Sequence, residues 1–354
     1  MALRAVIDGL PEVGTISFRK INRLAGNPPK PGLGLTPPQI QSVLYGLNIP
    51  YRAIDYTEGD ENGGTNPLRK MLPYRKFVYS GIESGIGALL GFQLTQPDNT
   101  EGDPPRHIIP FFGHTFNKDT WVPDAALNYF EIGADIRYIP SDNWTSSFIG
   151  HDDNFGSDFC IPKLYIKRNH VDYVVELLKP GIAYSGVQAE AMSLIFLYSL
   201  FSKMVKSTNP WMKRLSYQAN PCVKKVVLRA ISLRNDEYID HLTSMKDWNE
   251  NSEDKKLINV LKKNKGSLLP THLWMIEVSI PHLFPANKRK LGEIILDAGR
   301  LPTETQTAVD YDLFVLARLP ENYYFIKSVN SDNPKFFETP SQIKTHVPLI
   351  KQHS

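Results

Sequence analysis

His107 opens an apolar run, HIIPFFG, directly after the polar stretch QPDNTEGDPPR, and His151-Asp152-Asp153-Asn154 closes another, FIGHDDNFG. A histidine that starts a strand behind a polar loop sits at the rim of a sheet, wet enough to exchange protons and fixed enough to be aimed. If the two runs are neighbouring antiparallel strands, Asp152 lies beside it. Its carboxylate can then accept the imidazole Nδ1–H and stabilise the imidazolium, which is the orienting half of a nucleophile–His–acid triad. The plain alternative for His107 is a hydrogen-bonded surface histidine.

A thiol nucleophile has two candidates, because the chain contains two cysteines, Cys160 and Cys222. Cys160 sits in the apolar run FCIP and reads as packing. Cys222 follows Asn220-Pro221 and precedes VKKVVLRAI, which places it in the first turn of an expected helix, where the helix dipole and Lys224 and Lys225 would lower its pKa. A buried, inert cysteine fits the same pattern. A metal reading of His107, His114, His151 and Asp152 finds no H-x-x-x-H or H-E-x-x-H spacing, and His107 and His114 fall on opposite faces of a continuous strand. No metal and no cofactor is expected. Gly81, Gly85, Gly87 and Gly91 around Ser84 fit neither G-x-G-x-x-G nor G-x-S-x-G, so close helix–strand packing is the expectation there.

The elements that must hold these residues are partly legible. Ala2–Leu10 carries a helical apolar stripe that Pro11 and Gly14 stop, and Thr36-Pro37-Pro38 starts a helix through Leu47. Tyr51–Tyr56 alternates like a strand, and Ala88–Phe92 is a compact apolar run typical of a buried one. Pro110 suggests a bulge or an edge in the His107 strand. Val187–Val205 reads as a buried helix, and Pro221 to about Lys265 as charged and helical. HLWMIEVSI, LGEIILDA, YDLFVLARL and YYFIKS are four strand-like runs between turns.

Length and composition set the outer bounds. A chain of 354 residues is about two domains' worth, at ~100–200 residues each. With 42% hydrophobic and 22% charged residues it is neither collagen-like nor disordered throughout. A net charge of +3 gives no reason to expect nucleic acid or an anionic membrane as partner. Two cysteines make no disulfide framework, and the first residues carry no export signal, so a reducing, cytoplasmic setting is expected. Met192–Phe201 is about half the ~20 residues that would span a bilayer.

The order of TPPQIQSVLYGL, YRAIDY, SGIESGIGALLGF, HIIPFFGHTFN and GHDDNFG resembles the papain-like cysteine peptidases, and among them the C39-like branch. The resemblance covers roughly residues 1–165, with helical additions to about 205. It implies an α+β fold, a papain-like domain with an antiparallel sheet and packed helices. It also implies His107 as catalytic histidine and Asp152 as its acid partner, with Asp153 or Asn154 if the register slips. The partner class it implies is a peptide or protein. The family's nucleophile should lie at the start of the first core helix, and nothing upstream of His107 is a cysteine. The stripe at Ala2–Leu10 lies where the rear half of that helix would be, so the nucleophile belongs upstream of Met1 or has been lost. The resulting expectations are a truncated peptidase or amide hydrolase, an inactive binding module on the same fold, or a permuted hydrolase using Cys222. The expected division is 1–205 papain-like, 206–265 helical connector and 266–354 a small C-terminal β-rich domain.

Overall fold

The computed structural model describes residues 2–10, 13–26, 34–57, 72–94, 106–116, 137–154, 156–167, 170–216, 225–245, 253–264, 268–284, 288–302, 311–327, 335–341 and 346–350. The fold is α+β, with antiparallel pairing throughout one sheet and mixed pairing in a second. No helix among the described residues is long and apolar enough to cross a membrane. The chain divides into two compact units, Met1–Phe116 with Thr145–Gly181, and Asn117–Trp144 with Ile182–Ser354.

In the first unit, helices α1 (Ala2–Asp8), α2 (Phe18–Leu24) and α3 (Pro37–Gly46) precede strand β1 (Tyr51–Asp55). Local chemistry starts two of them. Ser17 Oγ accepts the Lys20 amide at α2, and Gln39 reaches back to the Thr36 amide at 2.9 Å ahead of the two prolines of α3. Helix α4 (Tyr74–Glu83), β2 (Ala88–Gln93) and β3 (Arg106–Phe116) follow. After β4 (Arg137–Pro140), which belongs to the second unit, the first is completed by β5 (Thr145–Asp152), β6 (Gly156–Pro162) and β7 (Val171–Leu177). The six strands run in the order β1-β7-β2-β3-β5-β6. Pro110 lies inside the sheet, and the irregularity comes next to it, a register shift against β5 between Phe111 and Gly113.

The two faces of this sheet are covered differently. Leu3, Val6 and Ile7 of α1, with Ile21, Ile40 and Val43, pack on Leu89, Val175 and Leu177, and Ile108 joins them. The residues between those, which alternation turns to the other face, meet α4. Ser80 Oγ donates to Glu176 at 2.5 Å, and Arg52 lies over the Phe77 ring. Gly81 and Gly87 let helix and sheet touch. A Cβ on Gly81 would run into the Gly87 carbonyl, and Gly87, at φ +108°, lies against the Phe111 carbonyl. Close packing, not phosphate binding, accounts for these glycines.

The second unit carries α5 (Gly186–Ser199), α6 (Phe201–Lys206) and α7 (Pro210–Ser216), then β8 (Lys225–Arg234), α8 (Asn235–Ser244) and α9 (Glu253–Lys263). Strands β9 (His272–Ser279), β10 (Arg289–Lys290), β11 (Gly292–Asp297), β12 (Phe314–Leu319), β13 (Asn322–Lys327), β14 (Lys335–Pro340) and β15 (Val347–Pro348) complete it. Its seven-stranded sheet runs β14-β13-β12-β11-β9-β8-β4, with β4 parallel to β8. The expected division is corrected here. Residues 225–234 are a strand between β9 and β4, not part of a helical connector, because Val226, Val227, Leu228, Ala230, Ile231 and Leu233 are buried on both faces of a central strand. The C-terminal unit is therefore larger than 266–354 and begins, with an earlier excursion, at Ile182.

Candidate functional site

Antiparallel pairing of β3 with β5 sets Phe111 opposite Gly150 and carries the start of β3 to the end of β5. His107 and Asp152 meet there, with Nε2 2.8 Å from Oδ2. The His107 side chain is 19% exposed and that of Asp152 5%, so the carboxylate is the buried anchor and the imidazole keeps one edge in reach of solvent. Asp152 Oδ1 accepts the Asn154 amide at 2.8 Å, which holds the carboxylate plane in place. Phe92, paired with His107 across β2 and β3, sets its ring edge-on at 5.9 Å. Asp153 and Asn154 are exposed, and the carboxylate that meets His107 is that of Asp152.

The expected Nδ1 contact is replaced by one through Nε2. A carboxylate acceptor favours the proton on Nε2, which in the neutral ring puts the lone pair on Nδ1. Beside the pair, Asp172 Oδ1 accepts from Gln93 Nε2 at 3.0 Å, and Asp172 Oδ2 lies 3.4 Å from Arg106 Nε. This ties β7, β2 and β3 together at the end of the sheet where the pair sits.

A nucleophile would have to approach on the face to which His107 points. His107 pairs with Phe92, and the alternation Ala88, Leu90, Phe92 puts both on the α4 face, opposite the residues that α1 covers. Helix α1 therefore packs on the face away from His107, not on the one where the rear half of a nucleophile-bearing helix would lie. Helix α4 does lie on this face. Its C-terminal Glu83 bonds His114, at the far end of β3, so its N-terminus points towards the His107 end. Ser80 bonds Glu176, which is level with Ala88 and Phe111. Tyr74 is six residues earlier, about 9 Å back along a helix, and His107 is four residues from Phe111, about 13 Å along a strand. Measured along the helix and the strand alone, Tyr74 thus opens the helix within about 4 Å of the level of His107. Its hydroxyl donates to the Ile166 carbonyl at 2.7 Å, and burial pushes its pKa up to about 12.

The other candidates fall elsewhere. Cys160 is an exposed free thiol on β6, paired with Ile149. That is three residues along β5 from Asp152, or about 10 Å, too far for proton transfer to the pair. Cys222 lies outside the described residues, and the helix expected to follow it is β8 from Lys225 onward. The described segment that follows Cys222 supplies a strand and no helix dipole. His151 Nε2 lies 3.4 Å from Asp153 Oδ1, away from His107. His114, expected on the opposite face from His107, is turned towards α4 by the bulge after Phe111, where Nε2 lies 2.8 Å from Glu83 Oε1 and the ring packs 4.9 Å from that of Tyr79. Sequence reasoning misses this buried pair, although Glu83 near the end of an apolar helix is its signal. Among the described residues no group of three or more His, Cys, Asp or Glu could hold a metal ion.

No protein-family model, no curated protein and no solved structure matches this chain.

Proposed function

We propose that the first unit is a papain-like hydrolase homologue of the C39-like type that keeps the acid–base half of a cysteine-peptidase triad and lacks its thiol. The observation that carries this reading is the His107–Asp152 contact at the end of the sheet, and a ring that donates from Nε2 to the carboxylate keeps its lone pair on Nδ1. Two further features support it. A helix lies on the His107 face with its N-terminus towards the pair, the setting in which a helix dipole would stabilise a thiolate. Tyr74 stands at that start, and its hydroxyl is occupied by a carbonyl and too weakly acidic to act as a nucleophile near neutral pH. The resulting module holds a peptide or protein segment by backbone pairing with an extended strand and does not cut it, in a cytoplasmic setting where Cys160 stays reduced.

The test is to incubate the full chain with a proteome-derived peptide library and sequence the products, beside the His107→Ala variant. No new peptide termini are expected in either sample. New termini that disappear in His107→Ala would overturn the proposal in favour of an active hydrolase.

A further inference from the structure

The core of the second unit contains a row of charged side chains that the sheet register sets shoulder to shoulder. Arg229 of β8 faces Glu277 of β9, Glu277 faces Glu293 of β11, Glu293 faces Arg318 of β12, and Arg318 faces Tyr323 of β13. All five are buried. The two glutamates side by side would repel. Lys290 of β10, fully buried, resolves this by placing its Nζ 2.9 Å from Glu277 and 2.7 Å from Glu293. Arg318 flanks Glu293 at 2.9 Å, and Arg229 flanks Glu277 at 3.0 Å. Asp254 of α9, bonded to Ser341 and Tyr323, supplies a third carboxylate. Among the described residues the cations Arg229, Lys290 and Arg318 thus pair with Glu277 and Glu293, while Asp254 lies at the Tyr323 end of the row.

Helix α8 closes over the centre of this row with Tyr238 and His241. Tyr238 donates to Glu293 at 3.2 Å. His241 Nε2 lies 3.1 Å from Lys290 Nζ and 3.9 Å from Glu293. An ammonium has no lone pair, so with Lys290 charged the imidazole nitrogen facing it accepts and carries no proton, against the pull of Glu293 on the same nitrogen. A proton on His241 would turn this hydrogen bond into a contact between two cations and add a positive charge to the buried row.

We propose that His241 is a proton-operated latch between α8 and the sheet of the second unit, closed when neutral and released when mild acid protonates it. Burial and the neighbouring Lys290 hold the His241 pKa below its ordinary value. The released state binds the proton at the ordinary value near 6.5, so the latch is fully closed above that pH. It weakens as pH falls from there towards the lowered folded value, by up to about tenfold in the opening equilibrium per pH unit. Below the folded value no further weakening is expected from this group.

The test is hydrogen–deuterium exchange of the full chain, followed on the peptide covering Asn235–Ser244 at about pH 7.5 and pH 5.5 after correction for the intrinsic exchange rate. The latch predicts a several-fold loss of protection at the lower pH in the wild type. His241→Gln, a neutral side chain with an acceptor, should remain protected at both. Equal protection of the wild type at the two pH values, or the same loss in His241→Gln, would overturn the proposal. Should that variant not fold, histidine NMR of the wild type decides. A His241 midpoint below the ordinary value supports the latch, and one at or above it rejects it.

Discussion

At the scale of single residues, the first unit rests on one contact whose partners are legible in the sequence and whose chemistry is only half so. A histidine opening a strand behind a polar loop, and an aspartate closing the next strand, together point to His107 and Asp152. The choice of ring nitrogen is set by the side-chain geometry at the end of the β3–β5 pair, which no local sequence pattern records. With Nε2 held by the carboxylate, the wild-type imidazole should be almost wholly the Nε2–H tautomer, and Asp152→Ala should release it to a mixture. Nitrogen NMR of His107 reads this directly. The same substitution removes a buried, charge-assisted hydrogen bond and should lower stability by about 1–3 kcal/mol in urea unfolding. Cys160, about 10 Å from the pair by strand geometry, should react with iodoacetamide at the rate of an ordinary exposed thiol, unchanged by His107→Ala.

Among elements, the close approach of α4 to β2 depends on positions where a side chain has no room. Gly87→Ala puts a Cβ on a residue at φ +108° and against a carbonyl, and should cost roughly 2 kcal/mol or more in thermal or urea unfolding. Strand β8 is the element that the sequence disguises, and the reason is physical. A central strand buried on both faces shows a run of apolar residues rather than strict alternation, and the charges around it imitate a solvated helix. Its Arg229 is buried beside Glu277, so the charge that suggests solvent belongs to the core. The charged row has its own signal, a lone glutamate or arginine inside each of HLWMIEVSI, LGEIILDA and FVLARL. Lys290→Met would leave Glu277 and Glu293 facing each other without their shared cation. A loss of about 3–5 kcal/mol is expected, measurable by urea unfolding with Trp274 fluorescence as reporter.

For the whole molecule, the sequence suggests three contiguous parts, whereas each unit is assembled from two stretches of chain. A linear scan of composition cannot see that the chain leaves the first sheet after Phe116, supplies β4 to the other, and returns at Thr145. A chain ended at residue 205 would keep α5, whose buried Leu194, Phe196 and Leu197 belong to the second unit. It should bind a hydrophobic dye and aggregate more than a chain ended at Gly181, which light scattering compares directly. If the helix on the His107 face opens where a nucleophile would meet the acid–base pair, a thiol put at its first residue, Tyr74, should be activated. The pH dependence of iodoacetamide labelling in Tyr74→Cys, with and without His107→Ala, reads this on protein shown to be folded by circular dichroism. The expected thiol reacts near neutral pH, well below the ordinary value near 8.5, and loses this reactivity without His107. A thiol at position 74 that behaves like Cys160 in both backgrounds would contradict the proposed role of the His107–Asp152 pair.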